Sequence, residues 1–258
     1  MTSRHQPFYH ATSGGPVLLS NANGVSSFLL IGDHAGRAIP GDLGDLGIAS
    51  SELDRHIAYD IGVRGMGERL AERLDAPFLH QAYSRLVIDC NRDPAAPDAM
   101  PERSDGTLIP ANVDLDAAAQ AAREAAIHAP YHGAIAAALD RRHAAGQPTI
   151  LVSLHSFTPV MNGVARPWQV GVLHDAGATA FAAALLAELR GRGDLTVGDN
   201  EPYRMDLVDY TVPRHAFPRR LPYAEIEVRQ DLISDAEGEE RWADLLATVL
   251  RAAAARIA

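Results

Sequence analysis

Six short apolar runs constrain this 258-residue chain more than any other feature. They read "SSFLLIG", "PFLHQAY", "SRLVIDCN", "TILVSLHSF", "WQVGVLHD" and "YAEIEVRQ". The first has the length and continuous hydrophobicity of a buried strand, and similar short runs recur in the others. Helical patterns lie between them. Residues 52–74 set Ile57, Ile61, Met66, Leu70 and Leu74 four or five apart, and residues 114–146 are alanine-rich, with Pro130 expected to kink or divide them. Residues 176–192 and 236–257 supply two more helices, with Asp235 placed to cap the last. Strands alternating with helices predict an α/β fold, a largely parallel sheet with helices on both faces. At this length we expect one domain over residues 1–258, with the turn-rich residues 1–26 wrapping its surface.

Composition removes several function classes. A net charge of −10 without a Lys/Arg run argues against a nucleic-acid partner, because phosphate binding needs clustered positive charge. The single cysteine, Cys90, excludes an intrachain disulfide framework. The opening residues do not read as a secretory signal, and no stretch approaches the roughly 18 apolar residues needed to span a bilayer. A cytoplasmic protein acting on small molecules, with no membrane partner, is the expectation.

Open α/β sheets bind ligands beyond the carboxyl ends of their strands. There "GDHAGRAIP" places Asp33 and His34, and "LHSF" places His155 and Ser156. Two strand-end histidines far apart in sequence meet if their strands are neighbours, and neutral imidazole is a common zinc ligand. Singly, each reads more readily as a histidine bonded to nearby backbone; the shared position weakens that reading. In "YAEIEVRQDL", alternation puts Glu225, Glu227 and Arg229 on one face of a strand. Buried carboxylates are costly unless paired or ligand-bound, so one of them is a candidate general base; the alternative is a solvent-facing edge with an internal Glu–Arg pair. "SRLVIDCNRDP" adds Arg85, Asp89, Asn91 and Arg92, guanidinium forks suited to a carboxylate. Together these describe a hydrolase whose substrate carries carboxylates.

Other features rank lower. His128 and His132 in "HAPYH" flank Pro130 without an accompanying acid. Asp54, His56 and Asp60 open a helical stretch, where the macrodipole alone favours acids, and Asp60 with Arg64 has the spacing of an i,i+4 pair. Ser156 lacks the G-x-S-x-G setting of a nucleophile, and Cys90 reads as packing.

With these residues assembled, the chain resembles the N-formylglutamate amidohydrolase family. The likeness runs in order through "GDHAGRAIP", "LDRHIAYDIG", "SRLVIDCNRDP", "PYH", "LVSLHSFTPVMNG", "VGDNEPY" and "LPYAEIEVRQDLI", from about residue 27 to 235. That family is distantly similar to the zinc carboxypeptidases. The resemblance implies a three-layer α/β/α fold around a mixed sheet, one Zn2+ per chain, and hydrolysis of a small acidic N-acyl amino acid such as N-formyl-L-glutamate. His34 and His155 resemble the first and last zinc ligands, Glu227 in "EVR" the general base, and Asn91 with Arg92 the pair that grips a carboxylate. Carboxypeptidases carry a Glu three residues after the first histidine, where this chain has Arg37. The remaining metal ligand is therefore assigned to Asp54, with Asp60 or Asp33 behind it. Arg85 is expected to stabilise the oxyanion, His215 in "VPRHAFPRR" to reach over the site as a proton donor, and Ser156 and Arg229 to contact substrate. Two other readings stay open: a metal-free carboxylate-binding or regulatory protein on the same fold, and a deacylase for another N-acyl amino acid or small peptide.

Overall fold

The computed structural model describes residues 15–206 and 208–257. Seven strands form the central sheet: β1 Val17–Ser20, β2 Phe28–Gly32, β3 Phe78–Gln81, β4 Ile150–Phe157, β5 Val170–Leu173, β6 Val197–Asp199 and β7 Tyr223–Arg229. Their spatial order is β1-β3-β2-β4-β7-β5-β6. β3, β2, β4 and β7 run parallel, β1 pairs antiparallel with β3, and β5 pairs antiparallel with β7 while lying parallel to β6. The sheet is mixed and largely parallel. Every residue of β2 and β4 is buried, which is why β2 is apolar throughout and β4 apolar apart from Ser153, His155 and Ser156.

Helices cover both faces. Phe28, Leu30, Val152, Leu154, Ile226 and Val228 pack with α1 (Val63–Leu74), α4 (Ala180–Gly191) and α6 (Ala236–Ala255). Leu29, Ile31, Leu151 and Tyr223 face the other way, toward α3 (Ala129–Ala144) and the long loops. Each fully buried Leu or Ile contributes roughly 1.5–3 kcal/mol by leaving water, so this two-sided core fixes the strand register firmly. Because side chains alternate along a strand, Ser153, His155, Glu225 and Glu227 share the face of Leu151 and Tyr223.

Several expectations are corrected. "SRLVIDCN" forms turns, not a strand. Ser84 Oγ accepts from Leu86 N at 3.1 Å and Asp89 Oδ1 accepts from Asn91 N at 2.8 Å; these local bonds replace a ladder, while Leu86, Val87 and Ile88 are buried all the same. The helix expected over 52–74 begins at Val63, because Gly62 before it is left-handed at φ 81°. The alanine-rich segment divides near Pro130 as expected: α2 (Ala117–Arg123) passes through a π-helical turn, Glu124–His128, into α3. Asp235 caps α6 by accepting from Gly238 N at 2.7 Å. Residues 17–20 of the expected wrapping segment are an edge strand, and residues 1–14 lie outside the described residues. Among the described residues, no helix is long and apolar enough to cross a membrane.

Candidate active site

A cavity of about 820 Å³ opens beyond the carboxyl ends of β2, β4 and β7. Glu227 sits opposite His155 and Glu225 opposite Ser153, and Ile31, just before Gly32 and Asp33, is also opposite Ser153. His34, Asp60, Arg85, His155, Glu225 and Glu227 all line this cavity.

Asp60 reaches it through a tight turn. Its N–H donates to His34 O at 2.9 Å. Two residues on, a Cβ at Gly62 would lie 2.0 Å from Ile233 O, so only glycine allows this approach. Asp60 Oδ2 then lies 3.0 Å from His155 Nδ1 and 3.5 Å from His34 Nδ1, and it accepts from Ser156 N at 3.2 Å. The two rings meet edge to face with centroids 5.0 Å apart. Their other nitrogens face away: His34 Nε2 donates to Asp89 Oδ1 at 2.7 Å, and His155 Nε2 lies 3.0 Å from Ser153 Oγ. Buried His34 Nδ1 has no hydrogen-bond partner among the described residues. One ligand atom from each of His34, Asp60 and His155 falls within 4.8 Å of the others. Two imidazole nitrogens and one carboxylate oxygen are the donor set of a catalytic zinc site that keeps a position open, so these residues fit such an ion.

The electrostatics divide the buried acids into two groups. Burial alone would raise Asp60, but the charge of His34 beside it and the hydrogen bond from His155 hold it far below its ordinary value. Burial is likewise outweighed at Asp89 by Arg85 and His34, and at Asp33 by His155. Burial and Arg85 push His34 down, yet Asp89 and Asp60 leave it above its ordinary value; His155 is held well above by Glu225, Asp33 and Asp60 against the same burial. The glutamates go the other way, burial pushing Glu225 well up and Glu227 to about 8. Arg85 ties the cluster together, donating from Nη2 to Asp89 Oδ2 at 2.6 Å with Nη1 3.6 Å from Asp60 Oδ1.

Several expected site residues stand elsewhere. Asp54 is exposed, ion-paired with Arg37, and outside the cavity lining; the acid carried inward is Asp60. Nor does Asp60 pair with Arg64, which bonds Glu68 at 2.9 Å. Arg229 turns to Asp231 at 2.7 Å and does not line the cavity. His215 does not reach over the site: it is buried in the short helix α5 (Thr211–His215), with Nε2 3.0 Å from His132 Nδ1. His128 and His132 are bonded to the carbonyls of Arg92 and Cys90. Asn91 lines the cavity with its carboxamide committed, Nδ2 donating to Asp209 Oδ1 at 3.2 Å and Oδ1 accepting from the N–H groups of Tyr210 and Thr211. Ser156 also lines it, its hydroxyl donating to Ile61 O at 2.9 Å. Arg92 lies on the cavity wall, bonded to Asp98 at 2.9 Å. The grip of Asp89 on His34 was not foreseen; its only signal was an acid directly after a buried apolar run.

A family model described as N-formylglutamate amidohydrolase matches residues 26–234. The solved gene product Atu2144 from Agrobacterium tumefaciens is 38% identical, with 95% of this chain and 96% of that one covered and a TM-score of 0.91. The N-formylglutamate amidohydrolase from Ralstonia eutropha JMP134 is 22% identical, with 93% and 97% covered and a TM-score of 0.62, and shares the fold. No curated protein sequence matches the chain.

Proposed function

This chain belongs to the N-formylglutamate amidohydrolase family, and from that premise we propose that it is a metal-dependent enzyme removing the acyl group from an N-acyl acidic amino acid, N-formyl-L-glutamate in the first instance. The observation that carries this reading is the convergence of His34, Asp60 and His155 within 4.8 Å in a cavity that Glu227 also lines. Zinc held by those three would polarise the amide carbonyl and bring the pKa of a bound water near 7.

The chain's own residues supply the rest. Glu227 takes a proton from the attacking water and passes it to the leaving nitrogen; a buried acid at about 8 is poised for that transfer near neutral pH, and a nearby dication favours its ionised form. Arg85, which lines the cavity, is the candidate to stabilise the charge that gathers on the carbonyl oxygen. Asp89 fixes the His34 ring by accepting from Nε2. Arg92 is the candidate for the substrate carboxylate, exchanging Asp98 for it. The cavity, at about 820 Å³, lies toward the upper end of the roughly 300–1,000 Å³ usual for ligand sites, which supports a second reading with a larger acyl group or a short peptide as substrate.

The test is a hydrolysis screen of the zinc-loaded protein over N-formyl, N-formimino, N-acetyl and N-succinyl amino acids. Activity lost in Glu227→Ala with metal retained is the expected result. Turnover of non-acidic substrates alone would remove the role given to Arg92. A chain that neither binds metal nor hydrolyses any amide would be a carboxylate-binding protein instead.

A further inference from the structure

We propose that Asp33, braced by Thr211 and Asn91, is the positioning residue that determines which nitrogen His155 turns toward the metal-ligand cluster. This rests on the reading of His34, Asp60 and His155 as metal ligands. For Nδ1 of His155 to offer a lone pair beside Asp60, the ring proton must sit on Nε2. Two groups face Nε2: Ser153 Oγ at 3.0 Å and Asp33 Oδ2 at 3.4 Å. A hydroxyl accepts a proton or donates one with equal ease, so Ser153 leaves the tautomer open. An ionised carboxylate only accepts, so Asp33 decides it.

Asp33 is held for this task. Its side chain is completely buried, Oδ1 accepts from Thr211 Oγ1 at 2.9 Å, and Oδ2, 3.4 Å from His155 Nε2, has no hydrogen-bond partner among the described residues. Thr211 is fully buried as well, and its N–H donates to Asn91 Oδ1 at 2.9 Å. Asn91 N in turn donates to Asp89 Oδ1, the same oxygen that accepts from His34 Nε2. One three-residue stretch thus reaches both imidazoles, Asp89 directly and Asn91 through Thr211 and Asp33. This gives Asn91 a bracing role in place of the substrate grip expected from the sequence. Neither Asp33 nor Thr211 lines the cavity, so neither touches substrate, and zinc affinity is the readout that isolates their effect on His155.

The test measures zinc affinity by competition with a chromophoric chelator, together with the absorption spectrum of the cobalt-loaded protein, for the parent chain, Asp33→Asn, Thr211→Val and Thr211→Ser. Loss of an outer partner of a metal-bound histidine typically costs about 10–100-fold in metal affinity, and Asp33→Asn is expected in that range with a shifted cobalt spectrum. Thr211→Val should fall in the same direction by less, and Thr211→Ser, which keeps the hydroxyl, should match the parent. On the substrate that the screen identifies, kcat should drop in Asp33→Asn with KM unchanged. Parent-like zinc affinity and cobalt spectra in both Asp33→Asn and Thr211→Val would overturn the proposal. Should Asp33→Asn fail to fold, the Val and Ser pair at Thr211 decides alone. Zinc uptake absent from the parent chain itself would overturn the metal reading of the site, an outcome distinct from a parent that binds and variants that bind equally.

Discussion

Replacing Glu227 by glutamine separates what this residue does for chemistry from what it costs the fold. In the metal-free chain, burial moves its carboxyl from 4.5 to about 8. At pH 7 the unfolded glutamate is therefore ionised while the folded one is still protonated. The sign follows directly: a folded value raised above the unfolded one leaves stability intact below pH 4.5 and removes it as pH climbs toward 8. Between pH 4.5 and pH 7 the loss is close to 2.5 pH units, or about 3 kcal/mol at 1.36 kcal/mol per unit. Glutamine has the same shape and no such titration, so the stability difference between Glu227→Gln and the parent should grow by about 3 kcal/mol over that interval. In a chain of this size that corresponds to a relative rise in Tm of roughly 6–12 °C. Urea unfolding of chelator-treated protein at the two pH values reads the difference directly. In the zinc-loaded protein the same substitution should lower kcat by about 10²–10⁴, the usual contribution of a positioned acid–base group. A stability difference that stays flat with pH would refute the reasoning, since it would mean that the carboxyl is either solvated or already ionised in the folded chain.

Three further outcomes follow from the geometry. Asp54→Ala should leave zinc content near one per chain while Asp60→Asn abolishes it, read by elemental analysis after dialysis; the reverse pattern would restore the exposed acid as ligand. Gly62→Ala forces a Cβ against the Ile233 carbonyl at a left-handed position, so it should destabilise the chain by more than about 1 kcal/mol in urea unfolding and weaken zinc binding through Asp60. His80 is buried, stacked on Phe78, and pushed down by burial to about 4, so it contributes stability above 6.5 that is lost as pH falls toward 4. His80→Gln should therefore gain about 2 kcal/mol relative to the parent on going from pH 7 to pH 5, and a pH-independent difference would count against neutral burial of that ring.

The fold was legible where burial on two faces forces predominantly apolar runs, as in Phe28–Gly32 and Ile150–Phe157. The same signal misled at Leu86–Ile88, because a turn folded into the core is as apolar as a strand. The edge strands Val17–Ser20 and Val197–Asp199 carried no pattern, being short and partly exposed. At the site, His34, His155 and Glu227 stood out because each occupies the end of a buried strand, where a polar side chain needs a reason. Asp54 and Asp60 were harder to tell apart. Both belong to one acid-rich stretch, and what divides them is the turn at Gly62, a backbone property that spacing does not encode. His215 lies in a polar segment and looked exposed; the short helix Thr211–His215 buries it against His132 instead.

The charge arrangement explains why a site of this kind survives burial. Asp33, Asp60 and Asp89 are held below their ordinary values and His34 and His155 above theirs, beside Arg85, so three acids and three basic groups favour one another's charged forms, while burial pushes Glu225 and Glu227 up. A buried cluster with net charge would cost several kcal/mol per unpaired ion, and setting three acids against three basic groups lowers that cost. Under the proposed metal reading, a dication would displace protons from the two imidazoles, an exchange of protons for metal. Asp54, exposed beside Arg37, stands outside this balance, whereas Asp60 lies within 3.5 Å of both imidazoles and is the acid on which the balance turns.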